Sequence, residues 1–237
     1  MRACIQSSYP GRLSLGLVDG LEDRPHRFGN APPRYNGAPG QDLWVIRQEA
    51  AGERSLELLR WGLIPHFYAD KPKPPPINAR VESAAQKPMF RQAYAKRRCI
   101  VPVDGFFEWK AIVGGAKQPF AFAMWDRAPF GLAGLWENWR DPTTGDWTRT
   151  FCVLTTRANA LMRPIHDRMP VILRPTDHEP WLSGNAVEPE ALGPYPDELM
   201  TLWPVSTRVN SPRNDDPGVI EPMVQASATA PLDGNSA

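Results

Sequence analysis

An Asn, an Arg, a Glu and a His stand in short stretches whose other positions are apolar or rich in Gly and Pro. They are Asn78 and Arg80 in Ile77-Asn78-Ala79-Arg80-Val81-Glu82, Glu108 in Asp104-Gly105-Phe106-Phe107-Glu108-Trp109, and His166 in Ile165-His166-Asp167-Arg168-Met169-Pro170. Two further stretches have the same character: Arg34-Tyr35-Asn36-Gly37-Ala38-Pro39-Gly40 and Trp61-Gly62-Leu63-Ile64-Pro65. A core gains nothing from such groups, because a buried polar side chain costs free energy unless it is paired. Convergence on one site accounts for them. Together they supply an orienting amide, an anion clamp and two proton-transfer groups.

Each residue has a functional and a structural reading. Period-two alternation puts Phe107 and Trp109 on one face of a strand and Phe106, Glu108 and Lys110 on the other. A carboxylate among aromatics is expected to have a raised pKa, which suits proton transfer near neutrality; the alternative is an edge Glu paired with Lys110. His166 beside Asp167 can be oriented as acid or base, or can cap a turn. Asn78 and Arg80 share a face and suit a phosphate or sugar contact; the alternative is a salt bridge from Arg80 to Glu82. Phe67 and Tyr68 can stack on bases if exposed, or pack in the core. Cys99 and Cys152 read as buried small hydrophobes. Cys4, beside Arg2 and near the chain start, is reactive only if its pKa is lowered.

The elements that must carry these groups are mostly strands. Leu43 to Arg47 and Ser55 to Leu63 read as strands, followed by a stiff, basic, extended loop from Lys71 to Pro76. Glu82 to Lys96 has a helical pattern broken at Pro88. Strands follow over 99–103, 106–110, 119–124, 131–138, 150–155 and 171–173, with short helices over 157–163 and 176–183. The first thirty residues read as a strand or short helix with loops. The pattern predicts an α+β fold: a mostly antiparallel, barrel-like β-sheet core with short flanking helices. Residues 1–223 form one domain in this reading, and the small, polar residues 224–237 a disordered tail.

Composition narrows the class. The chain has 237 residues, of which 42% are apolar and 22% charged, as in soluble globular proteins. Its 27 prolines predict many loops. No apolar run reaches spanning length, and the start lacks an apolar signal core, which predicts a cytoplasmic protein without membrane contact. Three widely spaced cysteines make neither a disulfide framework nor a zinc set, and no metal or cofactor is expected. The net charge of +1 hides an asymmetry: residues 60–99 hold nine basic against two acidic side chains, and residues 177–237 hold ten acidic against two basic. A basic face and an acidic face fit a nucleic-acid footprint, or simply a solvated basic loop and helix.

In order along the chain, these segments resemble the SOS response-associated peptidase (SRAP) family. The resemblance spans roughly residues 34 to 222. It rests on Arg34 to Gly40, Trp61-Gly62, Asn78-Ala79-Arg80-x-Glu82, Met89-Phe90, Arg98 through Trp109, Gly131-Leu132-Ala133-Gly134-Leu135-Trp136, Thr155-Thr156, Ile165 to Pro170, Pro204-Val205-Ser206 and Val209-Asn210. It implies an SRAP-like fold. It also implies binding of single-stranded or junction DNA that carries an abasic site, by a monomer in the cytoplasm that is nucleoid-associated when bound. An N-terminal cysteine freed by Met removal would attack the ring-opened sugar aldehyde: its α-amine forms a Schiff base and its thiol closes a thiazolidine. By the same resemblance Glu108 is the acid/base carboxylate, His166 assists ring opening, and Asn78 holds the cysteine end and sugar. Arg80 contacts phosphate, Phe67 and Tyr68 form an aromatic wedge, and Asn36 and Asn210 belong to the DNA-binding set.

The start departs from the family's Met-Cys-Gly-Arg: here it is Met1-Arg2-Ala3-Cys4. Met removal needs a small second residue, so Met1 is expected to stay, and Cys4 then has a peptide nitrogen instead of an amine. Either a self-processing peptidase step exposes Cys4, or the protein is a diverged non-covalent single-strand binder. A third reading is a thiol peptidase.

Overall fold

The computed structural model describes residues 5–7, 33–49, 52–71, 73–187 and 189–223. Thirteen strands are seen among them: β1 (Ile5–Ser7), β2 (Arg34–Gly37), β3 (Asp42–Gln48), β4 (Arg54–Trp61), β5 (Asn78–Arg80), β6 (Arg98–Val103), β7 (Gly105–Ala111), β8 (Lys117–Met124), β9 (Phe130–Arg140), β10 (Trp147–Arg157), β11 (Arg168–Pro170), β12 (Ile172–Leu173) and β13 (Met200–Pro204). The short helices are α1 (Val81–Ala84), α2 (Arg91–Lys96) and α3 (Pro175–Leu182). Among the described residues no helix is long and apolar enough to cross a membrane.

The α+β, barrel-like expectation holds. Strand β10 pairs β4 in parallel, and β4–β3, β3–β6, β6–β9 and β9–β10 pair antiparallel, so five strands close into a ring. A second sheet runs in the order β13-β8-β7-β1-β2. Asp104 alone separates β6 from β7, and there the chain passes from one sheet to the other.

Alternation along the strands sorts the side chains into two cores. Leu43, Val45, Leu59, Trp61, Phe151 and Val153 join Phe106 and Phe122 of the second sheet. Ile46, Ile100, Ala133, Leu135, Cys152 and Leu154 face the other way, under Ala84, Phe90, Ala93 and Trp181 from the helical segments. Cys99 and Cys152 are buried on opposite sides of this division, and burial pushes both thiols up, so they behave as small hydrophobes. Gly134 permits the close approach between them: a Cβ there would lie 2.8 Å from Cys99 Sγ and 3.2 Å from the Cys152 carbonyl oxygen.

Three local expectations change. The helical pattern over 82–96 resolves into α1 and α2, split around Pro88. The expected strand at 171–173 is β12, and a further short strand, β11, precedes it over Arg168–Pro170. The helix expected over 157–163 is a run of turns. There Arg163 N–H donates to Asn159 O, as in one helical turn, but Pro164 has no N–H to continue it. The Asn159 side chain also bonds the Met162 N–H and the Tyr195 carbonyl.

Candidate active site

The site begins with Trp61-Gly62. The Trp61 indole donates to Ile77 O at 2.9 Å, at the threshold of β5. Gly62 has φ +136°, a conformation side chains resist, and its would-be Cβ lies 3.1 Å from Pro75. Gly62 N–H bonds Phe151 O, and Val153 N–H bonds Ile77 O. These bonds hold β5 parallel to β10 with Asn78 opposite Val153 and Arg80 opposite Thr155. Ala79 is buried between them, so Asn78 and Arg80 face outward together, as their alternation predicts.

They line a cleft of about 370 Å³ with Thr155, His166, Asp167 and Arg168. Arg168 grips Glu82 through both terminal nitrogens, at 2.7 and 2.8 Å, and also donates to Thr155 O. The ion pair on Glu82 therefore comes from Arg168, and it holds the Glu82 carboxyl below its usual range. Arg80 remains exposed at the cleft. Asn78 Oδ1 is buried without a hydrogen-bond partner among the described residues.

Arg168 N–H donates to His166 Nδ1 at 3.0 Å, so the neutral ring carries its proton on Nε2, where it can donate. Asp167 Oδ1 lies 3.1 Å from the same Nδ1 and favours the charged ring, but desolvation by burial is the larger influence and lowers the His166 pKa. Near neutrality His166 is thus a neutral imidazole, able to hydrogen-bond an oxygen through Nε2.

Glu108 lies on β7 opposite Phe120 and is 2% exposed. It is outside the set that lines the cleft. Trp109 N–H reaches Oε1 at 3.4 Å, while Oε2 is buried with no partner among the described residues. Desolvation by burial raises its pKa from 4.5 to about 7, and the Asp167 carboxylate adds to the rise, which ties Glu108 electrostatically to the His166 loop. The alternative of an edge Glu paired with Lys110 does not apply. A carboxyl near pH 7 both gives and takes protons.

On the adjacent strand Ile5 stands opposite Phe106, two positions from Glu108. Cys4 itself lies outside the described residues. So does the segment 224–237.

The remaining expected contacts divide. Asn210 is exposed and its Oδ1 accepts from the Trp109 indole at 2.7 Å, next to Glu108. Asn36 is a correction. It is 0% exposed, and its Nδ2 lies 3.0–3.1 Å from the carbonyls of Val209, Ser211 and Asn214. An amide with no exposed surface does not reach DNA in this structure; its Nδ2 instead fastens the loop that carries Asn210, while its Oδ1 is buried with no partner among the described residues. Phe67 is 50% exposed and packs edge-on against half-buried Tyr68. Their loop is fixed by the bond from Ile64 N–H to Thr150 Oγ1. Thr150 and Thr155 are five residues apart on β10, about 17 Å along an extended strand.

The basic stretch is less uniform than its charge suggests. Arg60 pairs Asp42, Lys71 pairs Asp141 and Arg97 pairs Glu137. Arg98 is stacked on Tyr94 and Trp181. Lys73, Arg80, Lys87, Arg91 and Lys96 are exposed. Thr155, Asp167 and Arg168 were not singled out from sequence as site residues. The hint was their position: Asp167 and Arg168 directly follow His166, and Thr155 lies in a conspicuous Thr-Thr pair.

The chain matches the model of the SOS response associated peptidase (SRAP) family over residues 15–212. It is 40% identical over 198 residues to the abasic site processing protein YoqW of Bacillus subtilis (strain 168), covering 81% of this chain and 88% of that one. It is 34% identical over 195 residues to the abasic site processing protein YedK of Escherichia coli (strain K12), covering 80% and 85%. A crystal structure of a protein from Bacteroides thetaiotaomicron superposes with a TM-score of 0.78 at 25% identity, over 94% of this chain and all of that one.

Proposed function

The chain belongs to the SRAP family, and on that premise we propose that it processes abasic sites in DNA by covalent capture of the sugar aldehyde. The observation that carries the reading is a buried Glu108 carboxyl with a pKa of about 7, beside the strand that begins at Ile5. Cys4 directly precedes Ile5 in the sequence.

Capture needs a free α-amine on Cys4. Hydrolysis of the Ala3–Cys4 peptide bond supplies it, consuming one water. The amine adds to the aldehyde carbon of the ring-opened sugar to form a carbinolamine. Protonated Glu108 gives its proton to the departing hydroxyl, releasing water and leaving an iminium ion. The Cys4 thiolate attacks the same carbon, having given its proton to the Glu108 carboxylate, and closes a five-membered thiazolidine. His166 Nε2–H assists by donating to the sugar oxygen during ring opening. Asn78 orients the sugar, and Arg80 holds a phosphate by charge-assisted hydrogen bonds.

The substrate is single-stranded or junction DNA, bound by a monomer in the cytoplasm. Exposed Phe67 supports this, because an aromatic face accepts any unpaired base. Arg2 and Ala3 ahead of Cys4 favour a second reading, in which the same surface binds damaged DNA without forming a bond.

Intact mass and a denaturing gel separate the two. Protein that retains Met1 is expected to give no heat-stable adduct with an abasic oligonucleotide. A variant with Arg2 and Ala3 deleted, so that it starts Met-Cys, is expected to give one. A strong adduct from protein shown by mass to keep Met1 would overturn the mechanism and assign the attack to another amine.

A further inference from the structure

We propose that Glu137 is a positioning residue for Phe67, holding that ring where it meets a base of bound DNA; this rests on the DNA reading above. Glu137 lies on β9, is 1% exposed, and faces a surface loop rather than the cleft. Its Oε2 lies 3.2 Å from His66 Nδ1, and its Oε1 accepts from Arg97 Nη2 at 2.8 Å. Arg97 Nη2 is also 3.3 Å from His66 Nδ1, so the three groups form one cluster. Burying a carboxylate is costly, and an apolar replacement of similar volume is often no less stable. A buried Glu whose oxygens are turned on a loop histidine therefore points to control of that loop.

The tethers follow a pattern. Ile64 N–H bonds Thr150 Oγ1, His66 bonds Glu137, and Tyr68 O accepts from the Trp139 indole at 2.7 Å. Alternate loop residues are thus tied down. Their anchors are neighbours in the sheet, with Thr150 opposite Glu137 and Thr148 opposite Trp139. Phe67, between the second and third tethers, is left outward. Its ring stands edge-to-face against His66 at 5.3 Å and against Tyr68 at 5.1 Å. Here the His66 ring and the Tyr68 backbone carbonyl are held on either side, and the Phe67 ring between them stays half exposed. A preorganised ring loses less entropy on stacking with a base. The Glu137 carboxylate is the charged member of the set, and it acts on Phe67 only through His66.

The test is a double-mutant cycle on an abasic oligonucleotide carrying 2-aminopurine beside the lesion, with affinity from anisotropy and base unstacking from 2-aminopurine fluorescence. Glu137→Gln is expected to weaken binding roughly tenfold, within the range of one lost base–aromatic stack, and to diminish the fluorescence rise. In a Phe67→Ala background the same substitution should cause no further loss, because its target is gone. Additive losses, or no loss in the wild-type background, would overturn the role. If Glu137→Gln does not fold, His66→Ala serves instead, since it leaves the carboxylate paired with Arg97, and the same non-additivity is expected. A wild-type protein that does not bind the oligonucleotide at all overturns the DNA reading itself, and this role with it.

Discussion

Replacing Glu108 by Gln should stabilise the protein relative to wild type as the pH rises. The folded Glu108 carboxyl keeps its proton up to about pH 7, while in the unfolded chain it ionises near its ordinary value of 4.5. Between those values the folded state binds more protons than the unfolded state, so raising the pH favours unfolding. The gap, at about 1.4 kcal/mol per pH unit, amounts to about 3 kcal/mol. Above pH 7 the wild-type protein carries this whole penalty; below 4.5 it carries none. Gln has no charge and escapes it. Its Nε2 would take the place of Oε2, which has no partner, at a cost of roughly 1–3 kcal/mol that is the same at every pH. The difference between two pH values therefore isolates the ionisation. Urea unfolding of both proteins at about pH 5 and about pH 8 measures it. The stability of the Gln variant relative to wild type should move in its favour by about 2.5 kcal/mol from the lower to the higher pH, since a little of the penalty is already present at pH 5. An equal difference at both would refute the raised pKa, and with it the idea that Glu108 holds an exchangeable proton at neutrality.

Other outcomes follow from the same geometry. Arg80→Ala should weaken binding of abasic single-stranded DNA by about 1–3 kcal/mol and reduce the slope of log K against log salt by about 1, measured by anisotropy over a salt series. Asn36→Ala should lower stability by about 2–3 kcal/mol in thermal or urea unfolding, since three carbonyls lose their shared donor.

The strands were legible because their alternation and turn residues are local. Cys99 to Val103 differs by one residue from β6, and the strand read over 131–138 falls inside β9. The parallel pairing of β10 with β4 and β5 was not legible, because partners dozens of residues apart leave no local trace. The same limit explains Asn36. Its type and setting suggested a ligand contact, but its role lies in three carbonyls more than 170 positions away. Glu108 was readable because its aromatic neighbours are adjacent in sequence and burial is the main cause of its raised pKa. Arg168 was missed because its partner Glu82 is 86 positions distant. For Glu137, nothing in Leu135-Trp136-Glu137-Asn138 announces a histidine on another loop.

The two backbone bonds that pin the stretch between Gly62 and Ile77, one to Phe151 O and one from Val153 N, have a consequence for engineering. The stretch leaves and rejoins β10 two residues apart, like a replaceable cartridge clipped at both ends. The exposed residues between the clips, Phe67 among them, can change in composition while Asn78 and Arg80 stay in register with Thr155. On the proposed function, a DNA-facing loop can then diversify without moving the residues assigned to the reaction. Varying the exposed residues between positions 66 and 71 is thus a route to new ligand preferences while β5 keeps its register.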